Sequence, residues 1–167
     1  MLDGTISIYH LKADKEIMRF KQEDKVCAIS FKTDGTPIMA SANSSGIVAL
    51  WNLEERRLYH IMTNAHDGPI HTCSFIPGRP ILLTASADNS IKQWIFDSPD
   101  GIPRHLKSRS GHFKPPTKVR YYGSGDGENG SHSIISSGQD QTLRFFSTIR
   151  DSQNVEFSQG RYCFFRN

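Results

Sequence analysis

The stretch that decides the fold is Asp88-Asn89-Ser90-Ile91-Lys92-Gln93-Trp94, in which a turn residue is followed six positions later by an aromatic residue. It recurs as Ser45-Gly46-Ile47-Val48-Ala49-Leu50-Trp51 and as Asp140-Gln141-Thr142-Leu143-Arg144-Phe145-Phe146, with an earlier echo at Asp3-Gly4-Thr5-Ile6-Ser7-Ile8-Tyr9. Trp94 follows Trp51 by 43 residues, and Phe146 follows Trp94 by 52. The first interval is typical of a four-stranded repeat of about 40–45 residues, and the second adds one loop.

Each repeat contains other segments that are rich in β-branched and aromatic residues and bounded by Gly, Pro, Asp and Asn, which is the pattern of β-strands. First strands are predicted at 26–31, 70–75 and 118–122, second strands at 37–42, 81–86 and 133–137, and fourth strands at 57–62 and 104–108. The third strands end in the recurring aromatic residues. Because no segment has an amphipathic pattern of helical length, the sequence predicts an all-β chain.

Composition excludes several classes of protein. The 167 residues are 37% hydrophobic, with no run approaching the roughly 18 apolar residues of a membrane span and no leader-like segment at the start, so we expect neither membrane insertion nor secretion. The net charge of +3, from 20 basic and 17 acidic side chains, is far below the dense basic surface of an autonomous nucleic-acid binder. The three cysteines, Cys27, Cys73 and Cys163, form no C-x-x-C spacing and favour a reducing compartment.

The polar residues of two repeats resemble the WD-repeat signature, in which a histidine before the first strand, a hydroxyl in the second, an aspartate in the next turn and a tryptophan in the third recur together. They are His66, Thr84, Asp88 and Trp94 in one repeat and His112, Ser136, Asp140 and Phe146 in the next. We expect a buried relay in which the aspartate orients the imidazole, the imidazole meets the hydroxyl, and the hydroxyl meets the indole N–H. Phe146 has no N–H, so its relay should be one bond shorter.

The repeat between Asp24 and Met62 departs from this signature. It keeps Ser41 and Trp51, but Gln22 stands where the histidine would be, and Ser45 stands where the aspartate would be. We therefore expect this repeat to depend more on packing than on its polar network.

The WD resemblance implies a partial β-propeller of about three and a half four-stranded antiparallel blades. The expected units are a half blade at 1–22, blades at 23–63, 64–110 and 111–158, an acidic Gly-rich insertion at 123–130, and an irregular tail at 159–167. About four blades are the fewest that close a ring, so we expect an open ring and a chain that is part of a longer protein.

Several passages resemble the Utp21/WDR36 family more specifically, over about residues 3–148. They are Trp94-Ile95-Phe96-Asp97, Val119-Arg120-Tyr121-Tyr122-Gly123, Ser137-Gly138-Gln139-Asp140, Phe31-Lys32-Thr33-Asp34-Gly35 and Asn64-Ala65-His66. The resemblance implies a non-catalytic scaffold of the small-subunit processome (the U3 snoRNP), which acts in nucleolar pre-rRNA processing and 40S ribosome biogenesis. It implies other processome proteins as partners, many of them propellers, and indirect or weak association with U3 snoRNA and pre-rRNA. It implies no cofactor, no metal, no membrane and no small-molecule substrate.

The polar residues of these repeats also match the residue types of catalytic and metal sites. Ser136, His112 and Asp140 form a formal Ser/His/Asp set, and the histidines could be metal ligands or general bases. Since the same set recurs in successive repeats, an architectural role is favoured over catalysis, which needs one site. The Gly-rich run at 125–130 satisfies G-x-G-x-x-G, but it is acidic and leads into a strand where a nucleotide site would need a helix.

Two further expectations concern packing and RNA. Trp51, Trp94 and Phe31 are expected to anchor the core. A small set of basic residues beside two tyrosines could contact RNA or a partner, although a solvated strand face explains the same pattern. The set is Arg104, Lys114, Lys118 and Arg120, with Tyr121 and Tyr122.

A substrate receptor or adaptor of a ubiquitin-ligase or signalling complex is the alternative function. Such receptors often carry Trp-Asp-x-Arg after the third strand. In this chain Trp51 is followed by Asn52-Leu53-Glu54, and Trp94 by Ile95-Phe96-Asp97.

Overall fold

The part of the chain that the structure describes is built from antiparallel β-strands. The computed structural model describes residues 3–32, 34–98, 100–123, 133–148 and 154–158. Within those ranges the strands are β1 (Thr5–His10), β2 (Lys15–Lys21), β3 (Val26–Lys32), β4 (Ile38–Asn43), β5 (Val48–Asn52), β6 (Arg57–Met62), β7 (Ile70–Phe75), β8 (Ile81–Ser86), β9 (Ile91–Ile95), β10 (Arg104–Arg109), β11 (Pro116–Tyr122), β12 (Ser133–Gly138), β13 (Thr142–Ser147) and β14 (Val155–Ser158). These ranges contain no helix, and the all-β prediction is confirmed.

The strands form four separate sheets in chain order. β1 and β2 make a two-stranded sheet, and β3–β6, β7–β10 and β11–β14 each make a four-stranded sheet in which every strand pairs with its neighbour in sequence. We call these the half blade and the second, third and fourth blades. The predicted architecture of an open run of antiparallel blades is confirmed. Most of the predicted insertion, 124–130, and the whole tail, 159–167, lie outside the described residues.

In every repeat the residue after the turn position has a left-handed backbone conformation, with a positive φ angle. Gly4, Gly46, Asn89 and Gln141 have φ angles of 72°, 80°, 65° and 60°. At Gly46 a side chain is also excluded by space, because an added Cβ would come within 2.2 Å of the His66 carbonyl oxygen. The Gly46 carbonyl also accepts a hydrogen bond of 3.1 Å from the His66 N–H. The Gly4 carbonyl likewise accepts from the Gln22 N–H over 3.0 Å. These two turns therefore tie the half blade and the second blade to the segments that lead into the next blades.

The core lies between adjacent blades rather than inside any one of them. The second and third blades enclose the largest cluster, which includes Leu50, Ile70, Leu82 and Trp94. Smaller clusters join the third blade to the fourth and the half blade to the second. A blade of one sheet has two faces, so its apolar residues are buried only when a second sheet stacks on each face.

The prediction that Phe31 anchors the core is wrong. Its side chain is 45% exposed, whereas Trp51 and Trp94 are 6% and 8% exposed. The half blade packs on Met39 and Trp51, which belong to β4 and β5. Phe31 pairs with Met39 across β3 and β4 and so faces the same side, but it belongs to none of the three clusters and stays partly in solvent.

Candidate functional site

The third blade holds a complete polar relay. His66 lies in the segment before β7, Thr84 is on β8, Asp88 is in the β8–β9 turn, and Trp94 is on β9. His66 Nδ1 is 2.8 Å from Asp88 Oδ2, and His66 Nε2 is 2.7 Å from Thr84 Oγ1. The Trp94 indole N–H donates to Thr84 Oγ1 over 2.9 Å. His66 and Thr84 are buried, so each group satisfies the next one out of contact with water.

The charge states in this relay follow from its surroundings. Burial lowers the pKa of His66 and outweighs the opposing effect of the Asp88 carboxylate. Burial would raise the pKa of Asp88, but hydrogen bonds from Ser90 and His66 outweigh it and lower that pKa. A neutral imidazole next to an ionised carboxylate is the result. The Nδ1–H then donates to Asp88, and Nε2 accepts from the Thr84 hydroxyl.

The fourth blade repeats the relay with one bond fewer. His112 Nδ1 lies 3.0 Å from both carboxylate oxygens of Asp140, and His112 Nε2 is 2.7 Å from Ser136 Oγ. Although burial opposes it, hydrogen bonds from Thr142, His112 and the Phe113 N–H lower the pKa of Asp140 to about 2. Phe146 offers no N–H, and the Arg109 guanidinium lies 5.4 Å from its ring centre.

In the second blade an amide takes the place of the imidazole. The Trp51 indole N–H donates to Ser41 Oγ over 2.8 Å, and the Ser41 hydroxyl donates to Gln22 Oε1 over 2.9 Å. Asn43, at the end of β4, accepts hydrogen bonds from the Ser45 and Ile47 N–H groups and so holds the turn without an aspartate. Sequence reasoning missed the roles of Gln22 and Asn43. The sequence did carry a signal for both roles: an amide side chain, Gln22, stands at the histidine position, and another, Asn43, stands two residues before the aspartate position.

The hydroxyl and imidazole groups of the relays are buried and out of contact with solvent. Ser136 is fully buried, so its hydroxyl cannot reach an external carbonyl, and its partner His112 is 5% exposed. In the described ranges no group of three or more His, Cys, Asp or Glu side chains is placed to hold a metal ion. Across the same residues, no helix has the length and apolar character that a membrane crossing requires. The Gly-rich run at 125–130 lies outside the described residues.

The structure divides the candidate basic patch. Arg104 is on β10, at the outer edge of the third blade, and its guanidinium makes two hydrogen bonds to the Asp97 carboxylate. Lys118 and Arg120 are exposed on β11, at the inner edge of the fourth blade, and Lys114 is exposed in the segment before it. Arg104 thus lies in a different sheet from Lys118 and Arg120, which share β11.

Comparison with known proteins adds sequence evidence to this geometry. A family model described as the WDR36/Utp21 first beta-propeller matches residues 1–97. The U3 small nucleolar RNA-associated protein 21 homolog of Schizosaccharomyces pombe is 46% identical over 159 residues, which cover 95% of this chain and 17% of that protein. Human WD repeat-containing protein 36 is 39% identical over 161 residues, which cover 96% of this chain and 17% of that protein.

A solved structure supports the fold independently. The structure of U3-55K superposes with a TM-score of 0.78 at 16% identity, covering 94% of this chain and 46% of that one. At this identity the likeness shows a shared WD40 propeller fold only. The chain spans 17% of the length of the two curated relatives. The matched family model covers more than half of the chain, and the chain belongs to the WDR36/Utp21 first beta-propeller family.

Proposed function

We propose that this chain is part of a non-catalytic WD40 scaffold of the small-subunit processome, the U3 snoRNP, and acts in nucleolar pre-rRNA processing and 40S ribosome biogenesis. The observation that carries the proposal is the 46% identity, over 95% of the chain, to a protein named U3 small nucleolar RNA-associated protein 21 homolog. Its partners are other processome proteins, many of them propellers, and its location is the nucleolus of the nucleus.

The bonding of the relays supports a scaffold over an enzyme. The two histidines and their aspartates recur in successive blades at nearly the same distances, 2.8 Å and 3.0 Å, which is the pattern of a repeated structural element. A catalytic base must reach a proton on its substrate. In His66 and in His112 both ring nitrogens are already hydrogen-bonded to groups within the protein.

The charge distribution supports indirect or weak association with U3 snoRNA and pre-rRNA. RNA affinity depends largely on neutralising phosphates with lysine and arginine. The net charge is +3, and Arg104 is already paired with Asp97. We therefore propose that contacts with protein partners, more than contacts with RNA, hold the propeller in the particle.

The experiment is an affinity purification of the tagged full-length protein, with U3 snoRNA measured in the eluate and the tag located by microscopy. We expect enrichment of U3 snoRNA and processome proteins, with nucleolar staining. A double variant, Lys118→Ala with Arg120→Ala, should recover about as much U3 snoRNA as the wild type. Exclusively cytoplasmic staining with no U3 snoRNA would overturn the proposal, and recovery of ubiquitin-ligase adaptors in their place would favour the alternative function.

A further inference from the structure

A polar cleft lies between the second and third blades, at the end where β3 and β5 finish and β4 begins. Its volume is about 380 Å³. We call it the inter-blade cleft and define it by Lys32, Ile38, Asn52, Glu54, Tyr59 and Phe96. Binding sites for small ligands typically occupy about 300–1,000 Å³, so the cleft is at the small end of that range.

The floor of the cleft is the last cross-strand row of the second blade. Ile38 pairs with Lys32 on one side and with Asn52 on the other, so these three side chains leave the sheet on the same face. They face the third blade, because Ile38 belongs to the core cluster between the two blades. In the third blade the same row is entirely apolar and consists of Ile76, Ile81 and Ile95. Stacking one blade on the next therefore requires no polar side chain in this row, and the second blade has two.

The Asn52 carboxamide is oriented by the turn that follows β5. Its Oδ1 accepts from the Glu54 and Glu55 N–H groups over 3.0 and 3.1 Å, which assigns Nδ2 to the other side of the amide. Among the described residues Nδ2 meets no acceptor, yet it is not one of the unpaired polar atoms that are closed to solvent. Asn52 is 7% exposed and lines the cleft. An almost buried donor is thus directed at the cleft without a partner, which is uncommon in native proteins.

Two charged side chains at the cleft have no ion pair within the described part of the chain. They are Lys32 and Glu54. The neighbouring Glu55 carboxylate is already paired with Arg57. The free charges are therefore one of each sign, so the cleft favours a neutral ligand that offers both an acceptor and a donor.

Two aromatic side chains form walls that are fixed in place. The Tyr59 hydroxyl donates to the Asp100 carbonyl over 3.0 Å, and the Phe96 ring centre lies 5.7 Å from that of Phe75. Gly101 has a φ angle of 69°, and an added Cβ there would collide with the Tyr59 hydroxyl. Walls that are already ordered lower the entropic cost of binding.

We propose that the inter-blade cleft binds the side-chain carboxamide of an asparagine or glutamine in a partner protein. The carboxamide oxygen accepts from Asn52 Nδ2 and the Lys32 ammonium, and the NH₂ group donates to the Glu54 carboxylate. The methylene stem lies against Tyr59 and Phe96. Nucleic acid is disfavoured, since its affinity depends on neutralising several phosphates and the cleft carries two carboxylates.

The test is selection of a random displayed peptide library on the purified full-length protein, followed by affinity measurement by fluorescence polarisation. Every selected peptide is also measured on the Asn52→Asp variant, which identifies those that bind at the cleft. These peptides should share an asparagine or glutamine. Its replacement by aspartate or glutamate should weaken binding by about tenfold or more, because the NH₂ donor is lost and a charge is added. The measurement needs no U3 snoRNA, so its failure would leave the processome proposal unchanged.

Asn52→Asp separates binding from folding. The carboxylate keeps an oxygen that accepts from the Glu54 and Glu55 N–H groups, but it has no donor and repels the ligand oxygen. Binding should weaken by about tenfold or more, beyond the range of roughly 2- to 12-fold for one neutral hydrogen bond. Asn64→Asp is the matched control, because Asn64 is an exposed asparagine in the segment before β7, and it should bind as the wild type does. Circular dichroism melts check that both variants fold.

A salt titration tests the neutrality of the ligand. Affinity for a carboxamide should change less than about threefold between about 0.05 and 0.5 M salt, because screening acts on pairs of charges. The proposal would be overturned if no selected peptide distinguished the wild type from Asn52→Asp. It would also be overturned if the peptides that did so shared an acidic, basic or purely apolar anchor, or if single-stranded RNA displaced them.

Discussion

Truncation of Trp94 tests the reasoning about blade packing and the relay together. Trp94 is 8% exposed, packs in the cluster between the second and third blades, and donates to Thr84. A buried aromatic side chain removes about 150–250 Å² from water, so a loss of about 150 Å² at roughly 25 cal/mol per Å² costs about 4 kcal/mol. The lost hydrogen bond adds about 1 kcal/mol, and partial collapse of the cavity subtracts a similar amount. We expect Trp94→Ala to lower the free energy of unfolding by about 3–5 kcal/mol.

The measurement is urea unfolding of the full-length protein, followed by circular dichroism and by hydrogen exchange of the third-blade strands. At about 2–4 °C for each kcal/mol, the melting temperature of the domain should fall by roughly 6–20 °C. Tyr122→Ala is the control, because Tyr122 is 57% exposed and its loss should cost no more than about 0.5 kcal/mol. Equal melting curves for the wild type and Trp94→Ala would refute the packing assigned to the third strands.

Three further predictions concern the relays and the thiols. Burial lowers the pKa of His66 in the folded protein, so below about pH 6.5 the unfolded chain binds a proton that the folded chain does not, and the wild type loses stability as the pH falls. In the His66→Gln variant the free energy of unfolding should therefore depend less on pH, and an unchanged slope in denaturant titrations between about pH 7 and 5 would contradict this. Ser136→Ala leaves the buried Nε2 of His112 without its 2.7 Å partner and should cost about 1–3 kcal/mol, measured by the same denaturation. Iodoacetamide should label Cys27, which is exposed, far faster than Cys73, whose pKa burial raises to about 12; peptide mapping showing equal labelling of the native protein would contradict the burial of Cys73.

The strand positions follow closely from the sequence because turn chemistry and β-propensity are local. The second strand predicted at 81–86 is β8, and the fourth strand predicted at 57–62 is β6. The strand predicted at 118–122 begins two residues earlier, at Pro116, because β11 is an edge strand and proline is accepted as the first residue of such a strand. The sequence pattern does not single out β14, which has four residues and little to distinguish it from a loop.

The relays were predictable as sets of residues, because the same polar types recur at fixed places in each repeat. Their bond lengths and burial were not, and neither was the substitute role of Gln22. A carboxamide has an acceptor and two donors, so the sequence alone does not say which end meets Ser41. The structure decides it by placing Oε1 at 2.9 Å from Ser41.

The repeat spacing, the turn residues and the recurring aromatic residues determined that this chain forms antiparallel sheets of four strands, because each of these features acts within one blade. Which faces of those sheets are covered was decided only in three dimensions. Phe31 and Trp51 are both aromatic strand residues, yet one is 45% exposed and the other 6%. The difference is the presence of β1 and β2 over Trp51. Burial is a property of two stacked sheets, and no single repeat contains both of them.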